Sequence, residues 1–204
     1  EVYSMQSSNG SFIGYIPFAE DHNGNHTDVW SLAARSDGRV LAGGSFTVTD
    51  EPNAQYYAGL ILFTASPFAR FNTFKPILGN QATVKSLAVQ SDTRILAAGS
   101  FYRVNGTPHS GLARLDTTGT LDGSFMPGAY DFTAVCVRPD GKIAAYQSGL
   151  GLYNPDGSFI TNVDAWSVNS LISQSDDKVL AGMAGAPGVM RYNSNMSEDT
   201  AFSA

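Results

Sequence analysis

The amino-acid sequence predicts an all-β fold assembled from repeated short sheets, and three observations carry that prediction. The chain spells nearly the same eleven residues twice, SDGRVLAGGSF at 36–46 and SDTRILAAGSF at 91–101. Four strand-length runs end on the same polar turn: 29–37 (VWSLAARSD), 84–92 (VKSLAVQSD), 132–140 (FTAVCVRPD) and 168–176 (VNSLISQSD). No window places apolar residues at i, i+3, i+4 and i+7 between helix caps, so helix is expected to be nearly absent.

Each copy continues in the same order. After the turn comes a second run, at 39–42, 94–97, 142–145 and 178–181, so every unit opens with a hairpin. Asp37-Gly38 and Asp140-Gly141 supply tight-turn chemistry, because glycine accepts positive φ without steric cost, whereas Asp92-Thr93 and Asp176-Asp177 lack that glycine. A third run follows at 59–64, 111–116, 149–154 and 188–193. The tail after it recurs as TTGTLDGSF (117–125), NPDGSF (154–159) and SSNGSF (7–12), which makes 1–6 a partial copy. The resulting division of the single repeat domain, 1–204, is a partial unit and linker at 1–28 and complete units at 29–83, 84–131, 132–167 and 168–204.

The turn aspartates are spaced by 55, 48 and 36 residues, so the unit is constant while its loops vary. Short strands repeating at such periods without intervening helix indicate radial β repeats. Both alternating faces of the first run are apolar or small: Val29, Ser31 and Ala33 against Trp30, Leu32 and Ala34. A strand of this kind is covered on both faces, as in blades stacked about an axis. The small residues at 43–45 and 98–100 fit close approach of backbones. The expected architecture is therefore a β-propeller of four to five blades built from units of 36–55 residues. Either the opening strand joins the last blade as an outer edge and closes the ring, or the chain is part of a larger array whose open faces neighbouring domains or subunits would cover.

The apolar strand and Asp-Gly turn, then RVLAGGSF or RILAAGSF, VNG (104–106), GLARLD (111–116) and GTLDGSF (119–125), resemble the delta-60 repeat, a β-propeller repeat of bacterial and phage proteins. The second copy, 84–125, matches almost throughout. The other copies match in the hairpin and less in the tail, and the third reads Tyr146-Gln147-Ser148 where GSF is expected. The resemblance implies a propeller and a surface or virion setting. It implies no shared catalytic site.

The formal charge of -6, with twelve Lys and Arg scattered singly, offers no basic stripe for nucleic acid or an anionic membrane. No apolar stretch approaches the ~20 residues of a bilayer span, and 1–15 lacks the basic and apolar regions of a signal peptide. The one cysteine, Cys136, lies between Val135 and Val137 and reads as a buried inert thiol.

Chemistry is sparse. His22 and His26 in DHNGNH form a two-ligand set that reads as a solvated loop, no calcium-loop spacing occurs, and no metal or cofactor is expected. There is no Gly-x-Ser-x-Gly elbow, His109 lies in a loop, and Asp50-Glu51 and Glu198-Asp199 read as solvated acids, so the chain is expected not to be an enzyme. Sequons at Asn9, Asn25, Asn105 and Asn195 fall in turns, where asparagine tolerates left-handed geometry.

Individual function is expected where the repeat is broken. The first unit carries the excursion TVTDEPNAQYYAG (47–59), with Tyr56 and Tyr57, and the second carries YRVNGTPHSG (102–111), with Tyr102, Arg103 and His109. These five residues are the candidate ligand-binding rim for a glycan or protein receptor, the alternative being tyrosines packed over blade edges. The expected role is a structural and adhesion or recognition module of an extracellular or virion-associated protein. An intracellular protein-binding scaffold is the competing reading, and an enzyme with a site in the central channel of the propeller ranks third.

Overall fold

The computed structural model describes residues 2–5, 12–16, 28–50, 55–64, 69–79, 82–128, 131–185 and 187–202. Every strand pair among them is antiparallel, and none of these residues is helical. The hairpin β1 (Val2–Met5) and β2 (Phe12–Ile16) is followed by a sheet of β3 (Asp28–Ala34), β4 (Val40–Asp50) and β5 (Gln55–Phe63). The next sheet contains β6 (Thr83–Val89) and β7 (Ile95–Ser100), then a small hairpin of β8 (Arg103–Val104) and β9 (Thr107–Pro108), and closes with β10 (Leu112–Leu115). The third is β11 (Ala134–Val137), β12 (Ile143–Tyr146), β13 (Leu150–Tyr153) and β14 (Phe159–Val163). The fourth is β15 (Val168–Ser173), β16 (Val179–Met183) and β17 (Val189–Tyr192). The first strands β3, β6, β11 and β15 lie against one another in that order, as the inner strands of successive propeller blades do. The opening strand pairs with β2 in a sheet of its own and does not extend the last blade, whose order is β15-β16-β17.

The repeated aspartate explains the hairpin geometry. In the first unit Arg35 N donates to Arg39 O (2.9 Å) and Gly38 N to Arg35 O (3.0 Å), and the same pair of bonds recurs at 90–94, 138–142 and 174–178. The carboxylates of Asp37, Asp92, Asp140 and Asp176 accept from the backbone N–H two residues on, at 3.0 to 3.3 Å. This closure forces the next residue to positive φ, which is 81° at Gly38 but also 69° at Thr93 and 62° at Asp177. A β-branched residue there costs roughly 1–2 kcal/mol, partly offset by the entropy that glycine loses on folding. Thr93→Gly is therefore expected to stabilise the chain by about 1 kcal/mol in a denaturant titration. Asp177→Gly should gain less, since Asp177 Oδ1 accepts from Asp140 N of the neighbouring blade at 2.9 Å.

The glycines at the end of the second strand answer to crowding. A Cβ at Gly44 or Gly99 would lie 1.9 Å from the carbonyl oxygen of Asp28 or Thr83. Each is paired next to a β-bulge, between Val29 and Ser31 or between Val84 and Ser86.

A second turn ties the outer strands to the next blade. In the second unit Asp122 N donates to Arg114 O (2.9 Å), Arg114 Nε donates to Asp122 Oδ2 (3.0 Å), and the guanidinium lies 4.7 Å from the Phe125 ring centroid. Arg114 also donates through Nη1 to Pro155 O of the third unit. Gly157 lies under Phe125, where a Cβ would come 2.7 Å from the ring. The arrangement recurs in the fourth unit, with Arg191 Nε donating to Asp199 Oδ2 (2.9 Å) and its guanidinium 4.6 Å from Phe202.

Packing between blades follows from strand alternation. Leu87 packs with Leu41 and Leu60 of the first blade, and Val135 with Leu96 and Leu112 of the second, so this position faces the preceding blade. The next residue faces the following one: Ala88 joins the cluster of Val135, and Cys136 joins Val168 and Ala181. Serines bridge the inner strands, with Leu87 N donating to Ser31 Oγ and Val135 N to Ser86 Oγ, both at 3.1 Å. The expectation that every inner strand is covered on both faces holds for β6 and β11. It fails for β3 and β15: Leu32, in the position of Leu87, is 58% exposed, and Ile172, in the position of Cys136, is 62% exposed. Among the described residues no inner strand lies beyond either.

Candidate functional site

The excursion of the first unit is a projecting arm. β4 and β5 run past the blade with Thr47 opposite Ala58, Val48 opposite Tyr57, Thr49 opposite Tyr56 and Asp50 opposite Gln55. Tyr56 and Tyr57 thus sit on a paired strand. The excursion of the second unit is the β8–β9 hairpin, which turns on Asn105 and Gly106 at φ 51° and 80°.

Three predicted rim residues belong to that hairpin, but they do not form one surface. Tyr102 is 73% exposed. Arg103 Nη1 donates to Gly106 O at 3.0 Å, bracing the turn from the outside. His109 is buried, and its Nε2 donates to Leu112 O at 3.1 Å, so its ring ties the loop to β10. The hairpin is itself anchored: Asn105 N donates to Ile77 O (2.7 Å), Ile77 N to Asn105 Oδ1 (2.9 Å) and Asn105 Nδ2 to Gly119 O (3.0 Å). The VNG motif is thus a clamp between two loops, and the amide nitrogen of the Asn105 sequon is already engaged.

The third unit holds what the sequence reading did not single out. Its connection between second and third strands shrinks to 147–149, and β14 adds a fourth strand. Between them lies an open depression of about 160 Å³, floored by Gly149, Gly151 and Tyr153 and walled by Gln147, Ser148, Phe159 and Asn162. The Phe159 ring is 59% exposed and stands edge-on to Tyr153, with centroids 5.7 Å apart at 71°, while Tyr153 stands against Phe132 at 6.4 Å. Gly151 makes the hollow, since a Cβ there would come 2.9 Å from the Tyr153 ring that crosses it. Burial raises the Tyr153 phenol above its ordinary range, so it stays protonated. Among the described residues the side chains of Gln147, Ser148 and Asn162 have no protein hydrogen-bond partner. The sequence signal was the departure from GSF at Tyr146-Gln147-Ser148.

Cys136 sits inside the joint between third and fourth blades, and burial pushes its thiol up to about 12, against the smaller opposing pull of Arg138. Such a thiol is not a nucleophile at neutral pH. No group of three or more His, Cys, Asp or Glu side chains able to hold a metal occurs among the described residues, and His22 and His26 lie outside them.

Residues 90–125 match the family described as "Domain of unknown function (DUF5122) beta-propeller". No curated protein matches. The fold is similar to a protein of unknown function from Bacteroides caccae, with TM-score 0.63 and 10% identity, covering 96% of this chain and 66% of that one. It is similar to virginiamycin B lyase from Staphylococcus aureus, with TM-score 0.53 and 11% identity over 83% and 54% of the two chains. It is also similar to the extracellular domain of a putative one-component system from B. thetaiotaomicron, with TM-score 0.52 and 13% identity over 93% and 24%. The chain spans about two thirds of the first of these, about half of the second and about a quarter of the third. Such likeness establishes the β-propeller fold, which an enzyme and an extracellular domain both use.

Proposed function

We propose that this propeller is a non-catalytic recognition module of an extracellular protein and that it binds carbohydrate on the flank of its third blade. The observation that carries the reading is the exposed Phe159 ring beside the unengaged amides of Gln147 and Asn162 and the hydroxyl of Ser148. A sugar presents an apolar C–H face to an aromatic ring and hydroxyls to amides, and a shallow open hollow suits a ring exposed on one side. The similarity to an extracellular domain supports the setting. Burial of the Cys136 thiol, which keeps it protonated, removes it as a nucleophile.

The test is a glycan array followed by calorimetry on each hit. Phe159→Ala is expected to weaken binding about tenfold or more, with little change in melting temperature because the ring is largely exposed. Absence of any glycan hit, or a Phe159→Ala variant that binds as the parent does, refutes the reading.

A further inference from the structure

Trp166 is 79% exposed, more than any other large apolar side chain among the described residues, although the turn that carries it is pinned. It lies in the connection between β14 and β15, which joins the third blade to the fourth. Ser167 N donates to Tyr146 Oη of the third blade at 2.9 Å, and Ala184 N of the fourth donates to Ser167 O at 2.9 Å. On the other side of the indole, Ala165 is buried in the cluster between these two blades. Ser167 holds φ 46°, a left-handed backbone that is unfavourable for a residue with a Cβ. Backbone strain and two hydrogen bonds thus fix an indole whose surface stays in water, an arrangement that marks binding positions.

The turn lies along the short crossing that shapes the depression. Val163 O and Asn162 Nδ2 are 3.3 and 3.4 Å from where a Cβ on Gly149 would stand, at one end of the crossing, and Ser167 meets Tyr146 at the other. Residues 163–167 therefore run beside 147–149, and the crossing that bears Gln147 and Ser148 is bordered both by the hollow and by the turn of Trp166. β14 advances about 13 Å from Phe159 to Val163 at the usual strand rise. The two exposed rings, Phe159 at the start of β14 and Trp166 beyond its end, are thus too far apart for one sugar ring to touch both. The residues lining the hollow and residues 163–167 carry one carboxylate, Asp164, and no cationic side chain.

We infer that the hollow and the Trp166 turn form one extended site for a neutral polysaccharide chain, with one sugar stacked on Phe159 and a later one on Trp166. This rests on the carbohydrate reading above and deepens it from a sugar to a polymer. The amides of Gln147 and Asn162 and the hydroxyl of Ser148 meet the hydroxyls of the sugars between the two rings, and the open hollow lets the chain run on past either ring. A turn already held in place loses little freedom when the ligand arrives, so the Trp166 contact adds to affinity. Asp164 and a formal charge of -6 repel a polymer of acidic sugars, which has no cationic side chain here to meet its carboxylates.

The experiment runs the full chain through native gels containing soluble mixed-linkage glucan, glucomannan, xylan or polygalacturonate. Tryptophan emission and calorimetry then follow binding of fragments of graded length cut from each retarding polymer. Retardation by at least one neutral polymer and none by polygalacturonate is expected, with the longest fragments bound about tenfold or more tighter than the shortest. Trp166→Ala should weaken the longest fragments about tenfold or more and abolish the emission change, with little shift in melting temperature because the indole is exposed. Trp30→Phe, at the other of the two tryptophans, should keep both the affinity and the emission change. Phe159→Ala should weaken fragments of every length. The extended site is overturned by affinity that does not depend on length, by Trp166→Ala binding long fragments as the parent does, by retardation in polygalacturonate, or by no retardation in any neutral polymer. In each of those cases a glycan hit that Phe159→Ala weakens leaves the carbohydrate reading standing, whereas a chain that binds neither polymer nor glycan loses both.

Discussion

Asp122→Ala is expected to destabilise the chain by about 3 kcal/mol, as large an effect as any single exchange considered, because it strands a buried guanidinium. Arg114 is only 4% exposed and contacts Asp122 through both Nε and Nη2, at 3.0 and 2.9 Å. Without the carboxylate, Pro155 O and the Phe125 ring are the partners left to it. Arg114→Met, which removes the charge and keeps the volume, should cost less than Asp122→Ala. The opposite order in urea denaturation would show that attraction, and not desolvation, dominates the pair. The effect depends on pH. The Ser124 hydroxyl, opposed by burial and joined by the Ser124 amide and Arg114, holds the Asp122 carboxyl below the usual carboxylate range. A depressed folded-state pKa gives stability that is fully present above the unfolded value of about 3.9 and is lost as pH falls through the folded value. The gap between parent and Asp122→Ala should therefore be wide at pH 7 and narrow progressively below about pH 4.

Asn105→Ala comes next, at about 3 kcal/mol. The exchange leaves Ile77 N and Gly119 O without their side-chain partners and puts alanine at φ 51°; each lost bond is worth about 1 kcal/mol and the left-handed backbone about 1 more. Asn105→Gly accepts the φ and restores only the backbone part, so it should lose about 2 kcal/mol. If the two variants melt together, the clamp contributes nothing and the hairpin is held by Val104 alone, which is fully buried in the second blade's cluster.

The scaffold was legible because it is repeated. Turn aspartates, glycines at crowded carbonyls and alternation on the inner strands each occur several times, and a feature seen at Asp37, Asp92, Asp140 and Asp176 cannot be a local accident. Coverage of β3 was misread for the same reason. Leu32 has the residue type of Leu87, and whether a neighbour lies against it is a property of the assembly that no local pattern encodes. Sites were less legible because they occur once. His109 reads as a rim histidine in a polar loop, yet its ring turns inward to Leu112 O, a direction set by the closure of β9 onto β10. Tyr153 and Phe159 read as one more strand pair, and their depression depends both on Gly151 beneath the Tyr153 ring and on the short crossing made by Gln147, Ser148 and Gly149.

The length of that crossing varies from three residues in the third blade to a four-pair arm in the first, while the ladders on either side keep their pairing. Insertions there leave the hydrogen-bonded frame untouched, so one rim of the molecule is free to diverge in shape at little cost to folding. Relatives built on this unit should accordingly differ most in outline along that rim and least around the aspartate turns at the opposite pole.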